Sequence, residues 1–153
     1  MTIKSLLVQF KMFFIFIADI LVAFGALFLM ILLRYGVNNF NLELRAHIIP
    51  FSIIISLFIL IFYIFNLYSF RFNKNTAEFT SSLAKSLMIS FSISVLIFYI
   101  LGDFFKLTPK TNLIIFTGIF GIIDFYLRIL IKRYLTHKRI NRKIIIISTE
   151  GGG

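Results

Sequence analysis

The chain has no cysteine, no tryptophan, only two prolines and two histidines, and few charged residues. The absence of cysteine excludes disulfide frameworks, thiolate catalysis and zinc sites built on thiolates. Charged residues make up 14% of the sequence, whereas a soluble domain has about 25%. This shortage of charge excludes a soluble globular domain with a polar surface.

The sequence is instead dominated by apolar residues, which make up 59% of the chain and give a mean hydropathy of +0.98. Apolar runs of roughly 20 residues are long enough to cross a bilayer. Only a helix satisfies the backbone of a single span in lipid, so we predict an all-α membrane fold. The first run is too long for a signal peptide and no small-x-small cleavage site follows it. The four predicted transmembrane helices cover about residues 12–33, 48–70, 80–102 and 111–134.

The distribution of cations predicts the orientation of these helices. If both termini lie on the same side, twelve of the 16 Lys and Arg lie on that side and four on the other. Cations are enriched in cytoplasmic loops, so both termini are predicted to be cytoplasmic. The basic stretch Lys132–Lys143 then follows the last span, where attraction to anionic lipid contributes about 1 kcal/mol per cation. Membrane lipid is therefore an expected partner and nucleic acid is not.

Two acidic residues lie inside the predicted spans. Asp19 is in the first span, and the preferred interpretation is that it pairs with a cation or polar group of another helix. Asp124 and Arg128 are four residues apart on the fourth helix, which predicts an intrahelical ion pair. The alternative interpretation is a site for a lipid-linked phosphate. A structural pair is the better-supported interpretation, because unpaired charge is costly in lipid.

Small residues recur along the third and fourth helices. Ser82, Ser86, Ser90 and Ser94 repeat every four residues, a small-xxx-small pattern typical of close helix packing. The same stripe is a candidate surface for homo-oligomerisation, and Gly118 and Gly121 are candidates for similar packing. His47 and His137 are predicted on opposite sides of the membrane. We therefore predict no metal site, and no catalytic set can be proposed.

The C-terminal segment has a different pattern. The run Ile144–Ile147 follows Arg142 and Lys143, and it predicts a short buried β-strand. A strand entering a Gly-rich turn begins a nucleotide-binding βαβ unit. Gly151, Gly152 and Gly153 are therefore the remnant of a cofactor-binding turn, although the required helix and acidic residue do not follow. We divide the chain into a four-helix transmembrane domain, 1–140, and the start of a truncated Rossmann-like domain, 141–153.

Further features occur along the chain in a fixed order: Asp19 early in the first span, Arg34 at its end, Leu67-Tyr68 and Arg71 after the second, Glu78-Phe79 at the start of the third, Pro109-Lys110 before the fourth, Arg128 near its end, and then Lys143–Ile147. In this layout the chain resembles the N-terminal membrane domain of bacterial polysaccharide-biosynthesis enzymes. Two families share that domain: the membrane-bound nucleoside-diphosphate-sugar epimerase/dehydratases and the polyprenyl-phosphate hexose-1-phosphate transferases. The chain departs from their patterns at Lys110, where the family has Arg, and at Ser148 and Glu150, where the epimerases have Gly.

The resemblance implies a multi-pass protein of the bacterial cytoplasmic membrane that anchors an enzyme of capsule, O-antigen or exopolysaccharide synthesis. The short link after Arg128 favours the epimerase/dehydratases, and the transferases are the first alternative. Catalytic residues of either family lie beyond Gly153, so this chain is expected to have no activity or cofactor of its own. NAD(P) would belong to the following domain, and polyprenyl phosphate is an implied partner. Further alternatives are a small flippase-like carrier of polyprenyl-linked sugar and a structural subunit of a glycan-assembly complex.

Overall fold

The computed structural model describes residues 3–68, 76–101 and 110–149, with side chains over residues 12–68, 77–101 and 111–131. All the elements in these ranges are helices, and no strand occurs among the described residues. Each helix contains a segment of 21 to 25 residues that is apolar enough to cross a membrane. The predicted all-α fold is therefore confirmed for the described residues, with four helices long and apolar enough to span a membrane. The helices are α1 (Ile3–Tyr35), α2 (Phe40–Ile64), α3 (Thr76–Ile100) and α4 (Lys110–Thr149).

Helix α2 differs from the predicted second span, 48–70, because its ends are set by the backbone rather than by hydropathy. Gly36 at φ 73° ends α1, and its N–H bonds the Leu32 carbonyl at 3.1 Å. The chain then re-enters a helix at Phe40 after a short turn. Pro50, predicted near the start of the span, lies well inside α2. The missing proline N–H costs the helix one backbone bond there.

The C-terminus of α2 is closed by a Schellman motif centred on Asn66. Asn66 has φ 55°, its N–H bonds the Tyr63 carbonyl at 3.0 Å, and the Leu67 N–H bonds the Phe62 carbonyl at 3.0 Å. Asparagine tolerates this left-handed conformation better than most residues. The motif ends the helix before the apolar sequence ends, so Leu67 and Tyr68 turn back and are buried.

The four helices form an up-down-up-down bundle. Helices α1 and α3 each pack against both α2 and α4, so α2 and α4 face each other across the diagonal. At one end of the bundle lie Asp19, Tyr68 and Arg128; we call it the Arg128 end. At the opposite end lie His47 and Asn112; we call it the His47 end. The two ends are about 24 Å apart along α4 at about 1.5 Å per residue.

Phenylalanine rings fill the diagonal between α2 and α4. Phe116 contacts Phe51 and Phe58 at 5.3 and 5.8 Å between ring centroids, and Phe120 contacts Phe58 and Phe62 at 5.6 and 5.7 Å. Three of these contacts are edge-to-face, an arrangement that aromatic pairs prefer. All five rings are fully buried. The outer surface is also apolar, as expected for a bundle in contact with lipid.

The strand predicted at Ile144–Ile147 is wrong, because α4 continues as a helix through this run to Thr149. A lone strand has no neighbour for its backbone N–H and C=O groups, whereas a helix satisfies them internally. The predicted division at residue 140 therefore falls within a helix. Gly151–Gly153, the predicted cofactor-binding turn, lie outside the described residues.

The serine stripe faces the inside of the bundle. Ser86, Ser90 and Ser94 are fully buried within the single chain, and Ser82 is half-buried. Ser86 and Ser94 donate to carbonyls of their own helix, at 2.8 Å to Leu83 and 2.7 Å to Ser90. This placement supports packing between helices of one chain. Homo-oligomerisation through the stripe stays a prediction, and the three buried serines are not exposed for it.

The two glycines of α4 differ in their surroundings, and this difference gives a matched pair of substitutions. A Cβ added at Gly121 would lie 3.0 Å from Leu87 Cδ1 of α3, whereas a Cβ at Gly118 would meet nothing within 4 Å. We expect Gly121→Ile to lower the free energy of unfolding by about 1–3 kcal/mol through overpacking. Gly118→Ile should leave it unchanged or raise it, because isoleucine favours helix over glycine. Unfolding in mixed detergent micelles measures both, and equal effects would contradict the packing described.

Candidate functional site

The Arg128 end holds three ionisable side chains that are removed from solvent. Asp19 and Asp124 are 0% exposed and Arg128 is 7% exposed. Arg128 Nε lies 2.9 Å from both carboxylate oxygens of Asp124, and Arg128 Nη2 lies 2.5 Å from Asp19 Oδ2. The intrahelical pair and the pairing of Asp19 with another helix are therefore confirmed. The guanidinium joins α1 to α4.

The backbone after α2 supplies a further ligand to the guanidinium. Arg128 Nη1 donates to the Leu67 carbonyl at 3.0 Å. This carbonyl is available because the Schellman motif at Asn66 ends α2 and turns the chain towards α4. A buried cation needs hydrogen-bond acceptors in place of water. Arg128 therefore bonds three separate parts of the chain: α1, α4 and the segment that follows α2.

Two aromatic rings enclose the same guanidinium. Its Cζ lies 5.4 Å from the centroid of Phe62 and 5.6 Å from that of Tyr68. Such contacts stabilise a cation by roughly 0.5–2 kcal/mol when water is excluded. Phe16 of α1 packs edge-on against Tyr68 at 6.0 Å. The rings separate the ion cluster from the surrounding solvent or lipid.

Among the residues that the structure describes, two buried oxygens of this cluster have no hydrogen-bond partner: Asp19 Oδ1 and Tyr68 Oη. Burial raises the pKa of the Tyr68 hydroxyl above its ordinary value, and the Asp19 carboxylate raises this pKa further. The Tyr68 hydroxyl therefore keeps its proton. Unpartnered buried polar atoms are rare, so these two oxygens, on side chains that lie close together, are the open hydrogen-bonding positions of the cluster.

A second buried polar cluster lies at the His47 end. His47 Nδ1 is 2.8 Å from the Glu43 carbonyl, and His47 Nε2 is 2.6 Å from Asn112 Nδ2. A carbonyl only accepts, so Nδ1 carries the hydrogen and Nε2 accepts from Asn112. Asn112 Nδ2 also donates to Tyr35 Oη at 3.0 Å. The cluster joins α1, α2 and α4, as Arg128 does at the other end.

Sequence reasoning missed this second cluster, because it placed His47 in a loop just before a span at 48. The i,i+4 spacing of Glu43 and His47 was the available signal, since it is typical of one helix face. In the structure Glu43 Oε2 lies 3.5 Å from His47 Nδ1. Asn112 was not recognised as a partner, because its distance in sequence from His47 hides the contact.

Of the other predicted site residues, Arg34 has a described side chain and lies outside both clusters. Arg34 is exposed and its Cζ lies 5.5 Å from the centroid of the neighbouring Tyr35 ring. Arg71, Gly151, Gly152 and Gly153 lie outside the described residues, as does the side chain of His137. Within the part of the chain whose side chains are described, no group of three His, Cys, Asp or Glu could hold a metal ion.

Comparison with protein-family models, curated proteins and solved structures gives no match for this chain. Arg128 already bonds two carboxylates and a carbonyl, and it is directed into the bundle. This arrangement fits a structural tie, by which we mean a side chain that holds segments of the bundle together. It fits less well a guanidinium that reaches the headgroups and binds phosphate.

Removing the central cation should destabilise the bundle strongly. Arg128→Met leaves two buried carboxylates without their partner, and such a loss costs about 3–5 kcal/mol of the free energy of unfolding. The triple variant Asp19→Leu, Asp124→Leu, Arg128→Met removes all three charges and should recover most of this loss. Unfolding in detergent micelles measures each variant.

The matched control is Arg34→Met, which removes an exposed cation near the opposite end of α1. We expect it to change the free energy of unfolding by less than about 0.5 kcal/mol. If Arg128→Met had as small an effect as Arg34→Met, the assignment of Arg128 as a structural tie would be wrong.

Proposed function

We propose that this chain is the membrane anchor of a bacterial polysaccharide-biosynthesis enzyme, with both termini in the cytoplasm. The proposal rests on one observation: residues that carry the family resemblance lie together in the structure. Asp19, Leu67, Tyr68 and Arg128 come from three segments far apart in sequence, yet they form one buried cluster. Agreement between a loose sequence pattern and a compact structural feature supports the resemblance.

The shape of α4 fits the role of an anchor. Its apolar span ends at Ile131, whereas the helix continues to Thr149. At about 1.5 Å per residue, about 27 Å of helix extends beyond the span. The Arg128 cluster lies at the end of the bundle from which this extension leaves. A domain attached after Gly153 would thereby be held at a defined direction from the membrane.

The proposal covers both enzyme families equally. The short link between Arg128 and a strand at Ile144 favoured the epimerase/dehydratases. Since α4 runs through that segment, the link length no longer separates them from the sugar-phosphate transferases. In either case the substrate belongs to the cytoplasmic side, where nucleotide sugars are found, and the predicted topology puts the C-terminus there.

A flippase-like carrier is the weaker candidate. It requires Asp19, Asp124 and Arg128 to line a polar path for a sugar. These groups instead bond one another, and the rings of Phe62 and Tyr68 cover the guanidinium. The diagonal between the two ends of the bundle is filled by buried phenylalanine rings. These contacts favour a closed anchor.

The predicted orientation can be tested by labelling single introduced cysteines. The sequence contains no cysteine, so the chain has no other thiol that would be labelled. Val37→Cys places a thiol in the turn after α1, where Val37 is 79% exposed. We expect a membrane-impermeant maleimide to label Val37→Cys in intact cells. Gly151→Cys should be labelled only after the membrane is permeabilised. The reverse pattern would place the termini outside and contradict the proposal.

Loss of the gene in the source cell separates an enzyme anchor from a carrier. In both cases the surface polysaccharide should fall. Without an enzyme that makes the sugar nucleotide or transfers the sugar, the lipid-linked sugar is not formed. Without a carrier, the lipid-linked sugar accumulates. We expect loss of lipid-linked sugar, restored by reintroducing the gene. Its accumulation, or normal surface polysaccharide, would refute the anchor assignment.

A further inference from the structure

Among the described side chains, the ion cluster at the Arg128 end does not balance in charge. Two carboxylates, of Asp19 and Asp124, face one guanidinium, of Arg128. Both carboxylates are 0% exposed and Arg128 is 7% exposed, so water does not neutralise the excess. An uncompensated buried charge costs several kcal/mol, and protein carboxylates commonly escape this cost by binding a proton.

The hydrogen bonds identify which oxygen is open to a proton. Both oxygens of Asp124 accept from Arg128 Nε, and Asp19 Oδ2 accepts from Arg128 Nη2. Asp19 Oδ1 is buried and has no partner within residues 12–68, 77–101 and 111–131. A proton on either oxygen of Asp124 would compete with the Arg128 Nε–H that both oxygens share, whereas a proton on Asp19 Oδ1 competes with no donor of the described residues. The buried Tyr68 hydroxyl lies close to Asp19, and it can accept from a protonated carboxyl as well as donate to an ionised one.

We propose that the cluster is a proton-binding site in which Asp19 is a neutral carboxylic acid at neutral pH. An O–H bond forms at Asp19 Oδ1 with a proton taken from water, and the same proton returns to water when the cluster opens. The bound cluster then has one negative charge on Asp124 and one positive charge on Arg128. This inference is independent of the proposed function, because it concerns only the charge of the bundle.

Other ligands fit the cluster less well. An anion is excluded by the excess of negative charge. A metal ion needs more ligands than the site offers, and no suitable group of three occurs among the described side chains. Within those side chains, the titratable groups that face Asp19 are Asp124 and Arg128 from α4 and Tyr68 from the segment after α2. A proton needs only the open oxygen.

The test is the pH dependence of unfolding of the full chain in detergent micelles. In the unfolded chain the aspartates are solvated and ionised at neutral pH, so unfolding releases the proton. The unfolding equilibrium constant should therefore rise as pH rises, by up to about tenfold per pH unit. The stabilisation is present at low pH and is lost as pH is raised through the range in which folded Asp19 gives up its proton.

Two variants should lose this pH dependence, because neither needs a proton to neutralise the cluster. Asp19→Asn and Asp124→Asn each leave one carboxylate with Arg128, so the cluster is neutral without a proton. Glu43→Gln, which alters the opposite end of the bundle, is the matched control and should keep the slope. Arg71→Gln should also keep it. If Arg71→Gln changed the slope, the neutralising group would be that cation and the proposal would fall.

Sodium distinguishes a proton from a monovalent metal ion. We expect the free energy of unfolding at fixed pH to be the same in sodium and in a bulky organic cation at equal ionic strength. A specific stabilisation by sodium that Asp19→Asn abolishes would overturn the proposal. A wild-type chain without the pH slope, or a slope that persists in both Asn variants, would overturn it as well.

Infrared spectroscopy tests the wild-type chain even where a variant fails to fold. The sequence has three aspartates, at positions 19, 103 and 124. We expect a protonated-carboxyl C=O band at neutral pH that shifts when the aspartates carry carbon-13. Asp103→Asn should keep this band and Asp19→Asn should lose it. If no label-sensitive band were present in the folded wild type, Asp19 would be ionised and the inference would be wrong.

Discussion

The structure depends on one buried guanidinium. Arg128 bonds Asp19 of α1, Asp124 of its own helix and the Leu67 carbonyl that follows α2. In lipid there is no hydrophobic force between helices, so packing and interhelical hydrogen bonds hold a bundle together. A charged group in this position also penalises every arrangement that leaves it unpaired. Arg128 therefore favours the arrangement in which α1, α4 and the segment after α2 meet.

The rest of the bundle follows from this tie. A second polar cluster, around His47 and Asn112, joins α1, α2 and α4 at the other end. Between the two clusters, buried phenylalanine rings fill the diagonal from α2 to α4. Apolar packing alone allows helices to slide past one another, whereas a polar cluster at each end fixes their register. The result is a closed bundle from which the extension of α4 leaves in one direction.

Local features were predictable from sequence, and long-range ones were not. Hydropathy gave the number of spans, and the spacing of Asp124 and Arg128 gave their ion pair. The position of Asp19 inside an apolar span indicates that it needs a partner. The sequence does not show that this partner lies 109 residues away. The early end of α2 depends on one left-handed residue, Asn66, which hydropathy does not detect.

The strand predicted at Ile144–Ile147 was wrong for a different reason. Four isoleucines before three glycines match the start of a nucleotide-binding unit, and β-branched residues favour strands. A strand, however, needs a neighbouring strand, and nothing in the described part of the chain supplies one. Helix α4 continues through this run instead, because extending a helix needs no partner outside the helix. The local preference for a strand was outweighed by the requirement that every backbone N–H and C=O group have a hydrogen-bond partner.

The most direct test of the central claim is a double-mutant cycle between α1 and α4. The free energy of unfolding is measured for the wild type, Asp19→Asn, Arg128→Met and the double variant. If Arg128 is the tie described here, the two substitutions are strongly non-additive, with a coupling free energy of about 1–3 kcal/mol. Additive effects, within about 0.3–0.5 kcal/mol, would show that the two residues act independently and would contradict the account.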